Sequence, residues 1–391
     1  MFSGSGFPRW DRKTAERSSG SSYEIPFFLN AAYYPNWRIY RKQPPSSLRL
    51  GFISHIFYAF AWYILVMHHH PGRIRFVNLP CFVSFRVKED GTVYLSDEWA
   101  DTQMPVDGTT GCLRAFAQLK PQYSQMKLIL SIGGGGKGSE NFAAVARSQS
   151  RTETFAQSAR QLVDEFGLDG IDVDWEHPSD PQQGQDYVRL LARLREYLPS
   201  PYVVATCLPA GQWALQHIDL DKAQNYVDLI NIMGYDFAGP WGGQTGHHAQ
   251  LYSPSHATSA TSCHSAVSYI LAQGVHPKKL LLGIPTYGRS FLGCDGIGQP
   301  YEGCGGEDGV FDYSELPRPE ATEYHDEEVG AAYCVGGDGG FVTYDTPQTV
   351  EQKAKFVTRE QLGGLFYWHI GGDARGPRSL IETGYNTLHD M

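Results

Sequence analysis

The chain has 391 residues, of which 41% are hydrophobic and 13% aromatic, so it is long enough to bury a large core. Length alone suggests two or three domains, although a single α/β barrel often uses about 250 residues or more. The formal net charge of −10 disfavours nucleic acid as a partner, because nucleic acids are bound mainly through basic patches.

The N-terminal residues 1–28 are expected to form a disordered extension. Residues 1–22 are rich in Ser, Gly and Arg and lack the apolar segment of a signal peptide. This favours an intracellular or unconventionally exported protein, whereas a mis-assigned N-terminus would leave an extracellular location open. The longest apolar run, residues 56–67, is too short to cross a bilayer, so no membrane association is expected.

Short apolar runs then alternate with longer amphipathic stretches, the pattern of repeated βα units around a parallel sheet. Eight runs are predicted strands: residues 31–34, 55–59, 127–132, 170–174, 203–207, 229–233, 280–284 and 364–367. Predicted helices lie between them, for example at residues 152–166, 184–197, 257–273 and 349–361. We therefore predict an α/β fold, a TIM (β/α)8 barrel over residues 29–391, with its chemistry at the C-terminal ends of the strands.

Two segments depart from this alternation of strands and helices. Between about residues 290 and 345, after the seventh strand, Gly, Asp, Glu and Tyr dominate, which predicts a small α+β insertion subdomain. Residues 63–86, after the second strand, form an anomalous apolar insert without a clear period. The insert contains the consecutive histidines 68–70, but neighbouring side chains on one segment point in different directions, so no metal is expected.

The seven cysteines are scattered, with no C-x-x-C pair, and do not form a disulfide framework. Only Cys294 and Cys304 are close enough in sequence to close a loop if the compartment is oxidising. Free, partly buried thiols are expected for the rest.

The most informative segment is D-G-I-D-V-D-W-E, residues 169–176. Side chains alternate between the faces of a strand, so Asp172, Asp174 and Glu176 point the same way. Three carboxylates on a face that would otherwise fill a core are costly, because each buried charge needs a partner or a proton. A solvated edge strand or a metal-binding loop is the alternative, but the apolar residues between the carboxylates argue for burial. Acid–base chemistry is the better interpretation, whereas Asp169 has the wrong parity for this face and is expected to be structural.

With this segment on the fourth strand, the chain resembles glycoside hydrolase family 18, the chitinases, and among them those of fungi. The resemblance runs from about residue 30 to residue 388 and rests on six motifs in the order of the family. These are Y-Y-P-N-W (33–37), S-I-G-G (131–134), the complete D-G-I-D-V-D-W-E signature, M-G-Y-D-F-A-G-P-W (233–241), P-T-Y-G-R (285–289) and G-L-F-Y-W (364–368).

The resemblance implies a chitinase that uses substrate-assisted catalysis and needs no cofactor. Glu176 would protonate the glycosidic oxygen, and the nucleophile would be the carbonyl oxygen of the substrate's own 2-acetamido group. Asp174 would hold the N–H of that group, and Asp172 would share a proton with Asp174. Tyr235 would bind the acetamido oxygen, and Asp236 would face the reacting sugar.

Further residues are expected around the substrate by the same resemblance. Trp368 would form the apolar floor beneath the reacting sugar, with a core tryptophan at a strand end as the alternative. Ser131 would hydrogen-bond within the acidic row, or else simply precede the turn at Gly133. For the other expected contacts ordinary packing is the alternative. They are Tyr33, Trp37, Phe60, Gly134, Met233, Trp241, Tyr287 and Arg289. The expected partners are chitin and chitooligosaccharides, bound by a monomer.

The chain departs from the family pattern in two places. Gly135 and Gly136 follow S-I-G-G where many relatives have a tryptophan, so a stacking platform at a more distant subsite is missing and tight binding of long chains is not assured. The insert at residues 63–86 interrupts the loop after the second strand. Without it the chain reads like the uninterrupted family, as if an intron had been retained.

Other functions stay open on the sequence alone. A catalytically inactive chitin-binding lectin shares the fold, but such proteins typically lack the glutamate that is Glu176 here. An endo-β-N-acetylglucosaminidase acting on N-glycans would keep the chemistry and change the substrate. Tyr235, Asp236 and the insertion subdomain favour chitin, because that insertion forms one wall of a deep groove in chitinases. A structural barrel with acidic strand ends is the remaining alternative.

Overall fold

The computed structural model describes residues 28–59, 86–257 and 260–390. Its strands are β1 (Leu29–Pro35), β2 (His55–Ala59), β3 (Arg86–Val87), β4 (Val93–Tyr94), β5 (Pro105–Val106), β6 (Thr109–Thr110), β7 (Lys127–Gly133), β8 (Gly170–Asp174), β9 (Val203–Pro209), β10 (Leu229–Met233), β11 (Leu280–Pro285), β12 (Tyr287–Phe291), β13 (Val310–Asp312), β14 (Ala321–Asp326), β15 (Ala331–Gly336), β16 (Phe341–Tyr344) and β17 (Gly364–Trp368). Its α-helices are α1 (Cys112–Leu119), α2 (Phe142–Arg147), α3 (Gln149–Phe166), α4 (Pro181–Tyr197), α5 (Gln212–Leu215), α6 (Leu220–Ala223), α7 (Cys263–Ala272), α8 (Pro347–Arg359) and α9 (Leu380–His389). Within these described ranges, no helix combines the length and the apolar character that a membrane span requires.

Eight parallel strands close into a barrel in the order β1, β2, β7, β8, β9, β10, β11 and β17, and β17 pairs back to β1. The predicted TIM barrel is therefore confirmed. Each predicted strand coincides with one of these, and the predicted bounds of β2, β8 and β10 match residue for residue. The register places Ser131 of β7 opposite Asp172 of β8, and Gly133 opposite Asp174. The third and fourth barrel strands thus carry their polar residues side by side.

Side-chain alternation along the strands divides the core in two. Ile171 and Val173 of β8 belong to a large cluster in which the outer face of the barrel packs against the helices. A smaller apolar cluster fills the barrel interior: Leu29, Ala31, Tyr33, Phe57, Ala59, Ile129, Val203, Ala205, Leu229, Leu281 and Phe366. Asp172 bonds to Tyr33 of this inner cluster, so the carboxyl groups of β8 face the apolar interior.

Capping residues determine where two of the helices begin. The helix α3 starts earlier than predicted, because the Ser148 side chain accepts a hydrogen bond from the backbone N–H of Arg151. It ends where predicted, because Gly167 adopts a left-handed φ of 63°. The helix α7 starts later than predicted, because Ser262 and Ser265 form a capping box at its first turn.

A five-stranded antiparallel sheet, in the order β13, β12, β16, β15, β14, interrupts the barrel between β11 and α8. This is the predicted insertion subdomain. It begins at Tyr287, slightly before the predicted bound, because Tyr287 to Arg289 pair with Val310 to Asp312. Its helical content is limited to 3-10 turns such as Tyr313–Glu315 and Gly337–Gly339. Cys294 and Cys304 are both free thiols, so the disulfide considered for this region is not formed.

The predicted N-terminal extension and the anomalous insert fall mostly outside the described residues. Residues 1–27 and 60–85 are not described, and Phe60, an expected subsite wall, is among them. Phe28 was assigned to the extension but is buried in the core, where Nζ of Lys278 lies 4.5 Å from its ring centroid. Arg86, the last residue of the insert, pairs with Tyr94 in the short hairpin formed by β3 and β4.

Candidate active site

The acidic row lies at the C-terminal end of β8. Asp172 and Asp174 are buried, at 0% and 3% exposure, and Glu176 follows the end of the strand with a side chain that is 25% exposed. Trp175 points the other way and stacks on Phe142, with ring centroids 5.7 Å apart. The row therefore runs from the closed barrel interior to an accessible acid at its mouth.

Asp172, the deepest carboxyl group, is held by hydroxyl donors. Its Oδ2 accepts hydrogen bonds from the hydroxyl of Ser131 at 2.6 Å and from that of Tyr33 at 2.9 Å. The Tyr33 oxygen in turn accepts a hydrogen bond from Nδ2 of Asn231 at 2.8 Å. Burial raises the pKa of Asp172 to about 6, although both hydroxyl donors act to lower it.

Asp174 and Glu176 share an environment that favours their protonated forms. Burial, and then the nearby charges of Glu176 and Asp172, raise the pKa of Asp174 well above its usual value. Burial, and then the charge of Asp236, raise the pKa of Glu176 to about 7. A carboxyl group with a pKa near 7 can hold a proton at neutral pH and donate it, which is what a general acid requires.

Glycines at and just after the end of β7 leave the space beside the Glu176 carboxyl group free of side chains. A Cβ added to Gly135 would lie 3.7 Å from both carboxyl oxygens of Glu176. At Gly133 (φ 121°) a Cβ would lie 2.0 Å from the carbonyl oxygen of Asp174, and the N–H of Gly134 donates to that same oxygen at 2.7 Å. Only glycine fits this close backbone approach at Gly133. The two glycines of the S-I-G-G motif therefore act here through their backbone.

Asp236 is clamped at the end of β10. Its Oδ1 accepts hydrogen bonds from the Tyr287 hydroxyl and from Nε of Arg289, each at 2.8 Å. Its Oδ2 accepts from Nη2 of Arg289, also at 2.8 Å. Burial acts to raise the pKa of Asp236, but the Arg289 guanidinium outweighs it and holds that pKa below the usual range. Asp236 therefore stays ionised while Glu176 keeps its proton, so the two carboxyl groups are suited to different tasks.

Aromatic rings form the floor and one wall beside the acidic row. Trp368, at the end of β17, lies 5.4 Å from the Tyr33 ring and 6.3 Å from the Trp37 ring, between centroids. The Tyr235 ring packs edge-on against the Tyr287 ring at 6.2 Å. Flat apolar faces beside hydrogen-bonding groups are typical of sites that bind small polar ligands.

These residues surround a cavity of about 530 Å³. Among the expected site residues, it is lined by Tyr33, Trp37, Asp174, Glu176, Met233, Tyr235, Asp236, Tyr287, Arg289 and Trp368. Asp172 and Ser131 lie behind this lining, and Trp241 is 62% exposed with the Arg289 guanidinium 4.8 Å from its ring centroid. Asp169 lies apart from the cavity, where it accepts from the Leu128 N–H at 2.8 Å and forms an ion pair with Lys120.

Several lining residues were not anticipated from the sequence. Cys207 lies near the end of β9, so the expectation that the chemistry lies at the C-terminal ends of the strands would have included it. Behind the lining, His248 is fully buried, with Nδ1 3.6 Å from Oδ1 of Asp236. A second group comes from the segment after β1 and from the insertion subdomain, and no local pattern marks it: Arg38, Arg41, Gly306, Glu307, Asp308, Asp312 and Glu315.

Residues 30–373 match the sequence profile described as Glycosyl hydrolases family 18. The chain belongs to this family. The family 18 resemblance found in the sequence motifs is therefore confirmed. Chitinase 1 of Aphanocladium album is 33% identical over 386 residues, covering 92% of this chain and 85% of that protein. Endochitinase 1 of Metarhizium robertsii is also 33% identical over 386 residues, with the same coverage of 92% and 85%. A solved chitinase structure from Bacillus thuringiensis has a TM-score of 0.79 and 26% identity, covering 92% of this chain and 69% of that one.

Proposed function

We propose that this protein is a chitinase that hydrolyses the β-1,4 links between N-acetylglucosamine units of chitin and chitooligosaccharides by substrate-assisted, retaining catalysis. Membership of family 18 and the relatives named as chitinases support the reaction and the substrate class. The observation that carries the mechanism is the pairing of Glu176, with a pKa of about 7, with the buried Asp174 above the aromatic floor of Trp368. This arrangement offers an accessible proton donor, Glu176, beside a carboxyl group that can hold the substrate's acetamido group.

In the first step, the proton of Glu176 moves to the glycosidic oxygen as the bond from that oxygen to C1 breaks. The carbonyl oxygen of the 2-acetamido group forms a bond to C1 from the opposite face, which gives an oxazolinium ion. Asp174 accepts a hydrogen bond from the acetamido N–H and holds the group in line for this attack. Tyr235, which lines the same cavity, donates its hydroxyl to the acetamido oxygen.

In the second step, water adds to C1 from the face that the leaving sugar has vacated, and the bond from the acetamido oxygen to C1 breaks. Glu176, now ionised, takes the proton of that water. Two inversions at C1 give net retention. Asp172 stabilises Asp174 from below and is itself held by Ser131 and Tyr33.

A catalytically inactive chitin-binding protein is the less favoured reading. Such a protein needs no proton donor, whereas here Glu176 is present, and its burial and the charge of Asp236 raise its pKa to about 7. An endo-acting enzyme on N-glycans is disfavoured as well, because the relatives with 33% identity are named as chitinases.

The proposal is tested with a fluorogenic chitotrioside and with chitohexaose. Proton NMR in the first minutes of chitohexaose cleavage should show the β-anomer at the new reducing end. A first product of α configuration would exclude the retaining mechanism, and the absence of turnover under all conditions would exclude the enzyme.

A further inference from the structure

A thiol lies at the base of the active-site cavity. Of the six cysteines that the structure describes, all with free thiols, only Cys207 lines this cavity. Side chains alternate along β9, and Val203 and Ala205 belong to the inner apolar cluster, so Cys207 continues their inward face. Cys207 is 2% exposed, which places its sulfur deep in the cavity. The mechanism proposed above gives this thiol no role.

The strand order places Cys207 between the two groups proposed to hold the acetamido group of the substrate. Its strand, β9, lies between β8, which carries Asp174, and β10, which Tyr235 follows. In the pairing of β8 with β9, Val173 lies opposite Thr206, so the next residues, Asp174 and Cys207, lie side by side. Burial does most to raise the pKa of Asp174, and a hydrogen bond with the Cys207 side chain acts in the opposite direction. The sulfur therefore lies within hydrogen-bonding reach of this carboxyl group.

Asp174 has an unused acceptor beside this thiol. Asp174 is 3% exposed and lines the cavity, and among the described residues its Oδ1 has no hydrogen-bond partner. A buried carboxyl oxygen without a partner is costly, so a ligand that supplies a donor is favoured here. In the function proposed above, the acetamido N–H is that donor. The ligand and the thiol thus meet at the same carboxyl group.

The shape of an acetamido group directs its methyl carbon toward Cys207. In the proposed mechanism its nitrogen, attached to the sugar, faces Asp174, and its oxygen turns toward C1 beside Tyr235. Because an amide is planar, the remaining substituent, the methyl carbon, points away from the sugar ring. The reacting sugar occupies the accessible part of the cavity next to Glu176. The methyl carbon therefore points toward the closed barrel interior, where the sulfur of Cys207 lies.

We propose that Cys207 is a site of covalent modification for N-haloacetyl amino sugars, in which a chloroacetyl group replaces the acetyl group of the reacting sugar. The sulfur forms a bond to the CH2 carbon as the carbon–chlorine bond breaks. Chloride leaves, and the thiol proton passes to the carboxylate of Asp174. This inference rests on the proposed function, because it uses the position of the acetamido group, and it adds a nucleophile that the hydrolysis does not use.

The surroundings of Cys207 make it selective for a reagent that is bound. Burial, and then the charges of Asp174 and Asp172, raise the pKa of the Cys207 thiol well above its usual value. Since the thiolate is the nucleophile, a free alkylating reagent reacts slowly at this position. A bound reagent holds its CH2 carbon beside the sulfur, and such proximity corresponds to effective concentrations of about 10⁵ M or more. The exposed Cys304, which does not line the cavity, should show no such selectivity.

The experiment compares two reagents with the same reactive group. One is a chitobiose analogue with an N-chloroacetyl group on its reducing sugar, and the other is chloroacetamide at the same concentration. Intact-mass spectrometry and peptide mapping follow the rate of labelling at each cysteine. We expect the analogue to label Cys207 at least about 100-fold faster than chloroacetamide does, and to label Cys304 no faster. The rate at Cys207 should saturate with reagent concentration, and chitotriose should slow it.

Variants of two buried cysteines provide the controls. Cys207→Ala should resist both labelling at this position and inactivation, and Cys207→Ser, which keeps nearly the same size, should resist them as well. Cys263→Ala is the matched control, because Cys263 is also a fully buried free thiol, with Sγ 3.5 Å from the carbonyl oxygen of Gly234, and does not line the cavity. This variant should be labelled at Cys207 at the wild-type rate.

The outcomes separate this inference from the proposed function. Equal rates for both reagents at Cys207, or labelling confined to Cys294 and Cys304, would overturn the modification site. Cleavage of chitohexaose by the wild-type protein tests the chitinase function independently. Cleavage without selective labelling refutes the modification site alone. Selective labelling that chitotriose blocks, in a protein that cleaves nothing, supports the modification site and refutes the hydrolase.

Discussion

The hydroxyl of Tyr33 donates a hydrogen bond to Oδ2 of Asp172 at 2.9 Å, and this bond ties the first barrel strand to the fourth. Ser131 donates to the same oxygen, so Oδ2 of Asp172 has two donors. Within the part of the chain that the structure describes, Oδ1 of Asp172 and Oδ1 of Asp174 have no hydrogen-bond partner. A buried carboxyl oxygen without a partner is costly, and a proton on either group relieves it. The raised pKa values of Asp172 and Asp174 therefore favour a bound proton below Glu176.

Replacing Glu176 with Gln should lower kcat by roughly 10²–10⁴-fold or more, because glutamine matches the shape of the acid but cannot donate a proton. Binding of chitooligosaccharides should persist, since the aromatic floor and the Asp236 clamp are untouched. Steady-state kinetics with the fluorogenic chitotrioside and calorimetric titration with chitotetraose measure the two effects. Retention of more than about a tenth of the activity would show that Glu176 is not the acid.

Asp174→Asn should reshape the pH profile and move its basic limb to lower pH. Glu176 must be protonated to act, so activity falls as the pH rises through its pKa of about 7. Asp174 and Glu176 oppose each other's ionisation, and asparagine cannot ionise, so in the variant Glu176 loses this opposition and ionises at a lower pH. Values of kcat/KM between pH 4 and pH 9 give the profile. If both limbs coincide with those of the wild type, the two groups are not coupled.

Asp101→Asn should change how stability depends on pH. Asp101 is fully buried, and its Oδ1 accepts hydrogen bonds from Asn36 at 2.8 Å and from Tyr58 at 2.7 Å. Burial raises its pKa to about 7, so the folded state binds more protons than the unfolded state between about pH 4 and pH 7. The stabilisation from this group is present below the unfolded pKa and is lost as the pH rises through 7. Asparagine does not ionise, so the variant lacks this loss. Between about pH 4 and pH 7 the free energy of unfolding of the variant, compared with that of the wild type, should therefore rise with pH. The rise amounts to up to a few kcal/mol, at about 1.4 kcal/mol per pKa unit.

Urea denaturation at pH 4, 5.5 and 8 measures this difference. Asp164→Asn is the control, because Asp164 is exposed and its ion pair with Arg160 lowers its pKa. A lowered carboxyl pKa makes stability rise with pH, so the control should change the slope in the opposite direction. If the free energy of unfolding depends on pH in the same way for the wild type and for Asp101→Asn, the pKa of Asp101 is not raised.

The barrel could be predicted from the sequence because each strand is a short apolar run, and the period of two also placed Asp172 and Asp174 on one face. The same local reasoning led us to propose Glu176 as the acid, since the carboxylates have no role in a core. Helix ends were less predictable, because a cap such as Ser262 overrides the apolar pattern of α7.

The part of the site that is formed by the insertion subdomain and the segment after β1 could not be predicted by such reasoning. Glu307 and Asp312 lie in an insertion whose loops have no period, and they meet Arg41 and Arg38 only through the fold. Sequence separation of this size leaves no local signal. Cys207 is different, because it lies near a predicted strand end and could have been included.

The last prediction concerns the anomalous insert. Its described end, Arg86, pairs with Tyr94, so the deletion that leaves this hairpin intact removes residues 63–85. We expect the deletion to raise soluble yield and thermal stability. The removed sequence is apolar and without a period, so it has no evident face to bury, and its β-prone runs favour association. A loop after a barrel strand tolerates changes in length, because the entropy of loop closure depends only weakly on length.

We compare the wild type with the deletion variant by thermal unfolding, by size-exclusion chromatography and by affinity for chitotriose. An insert that serves no purpose should leave the affinity for chitotriose unchanged when it is removed. If the insert is a genuine part of the binding surface, its loss should weaken the binding of chitotriose or lower the melting temperature. Either of these results would defeat the interpretation as a retained intron, because an accidental insert has no reason to contact sugar or to stabilise the fold.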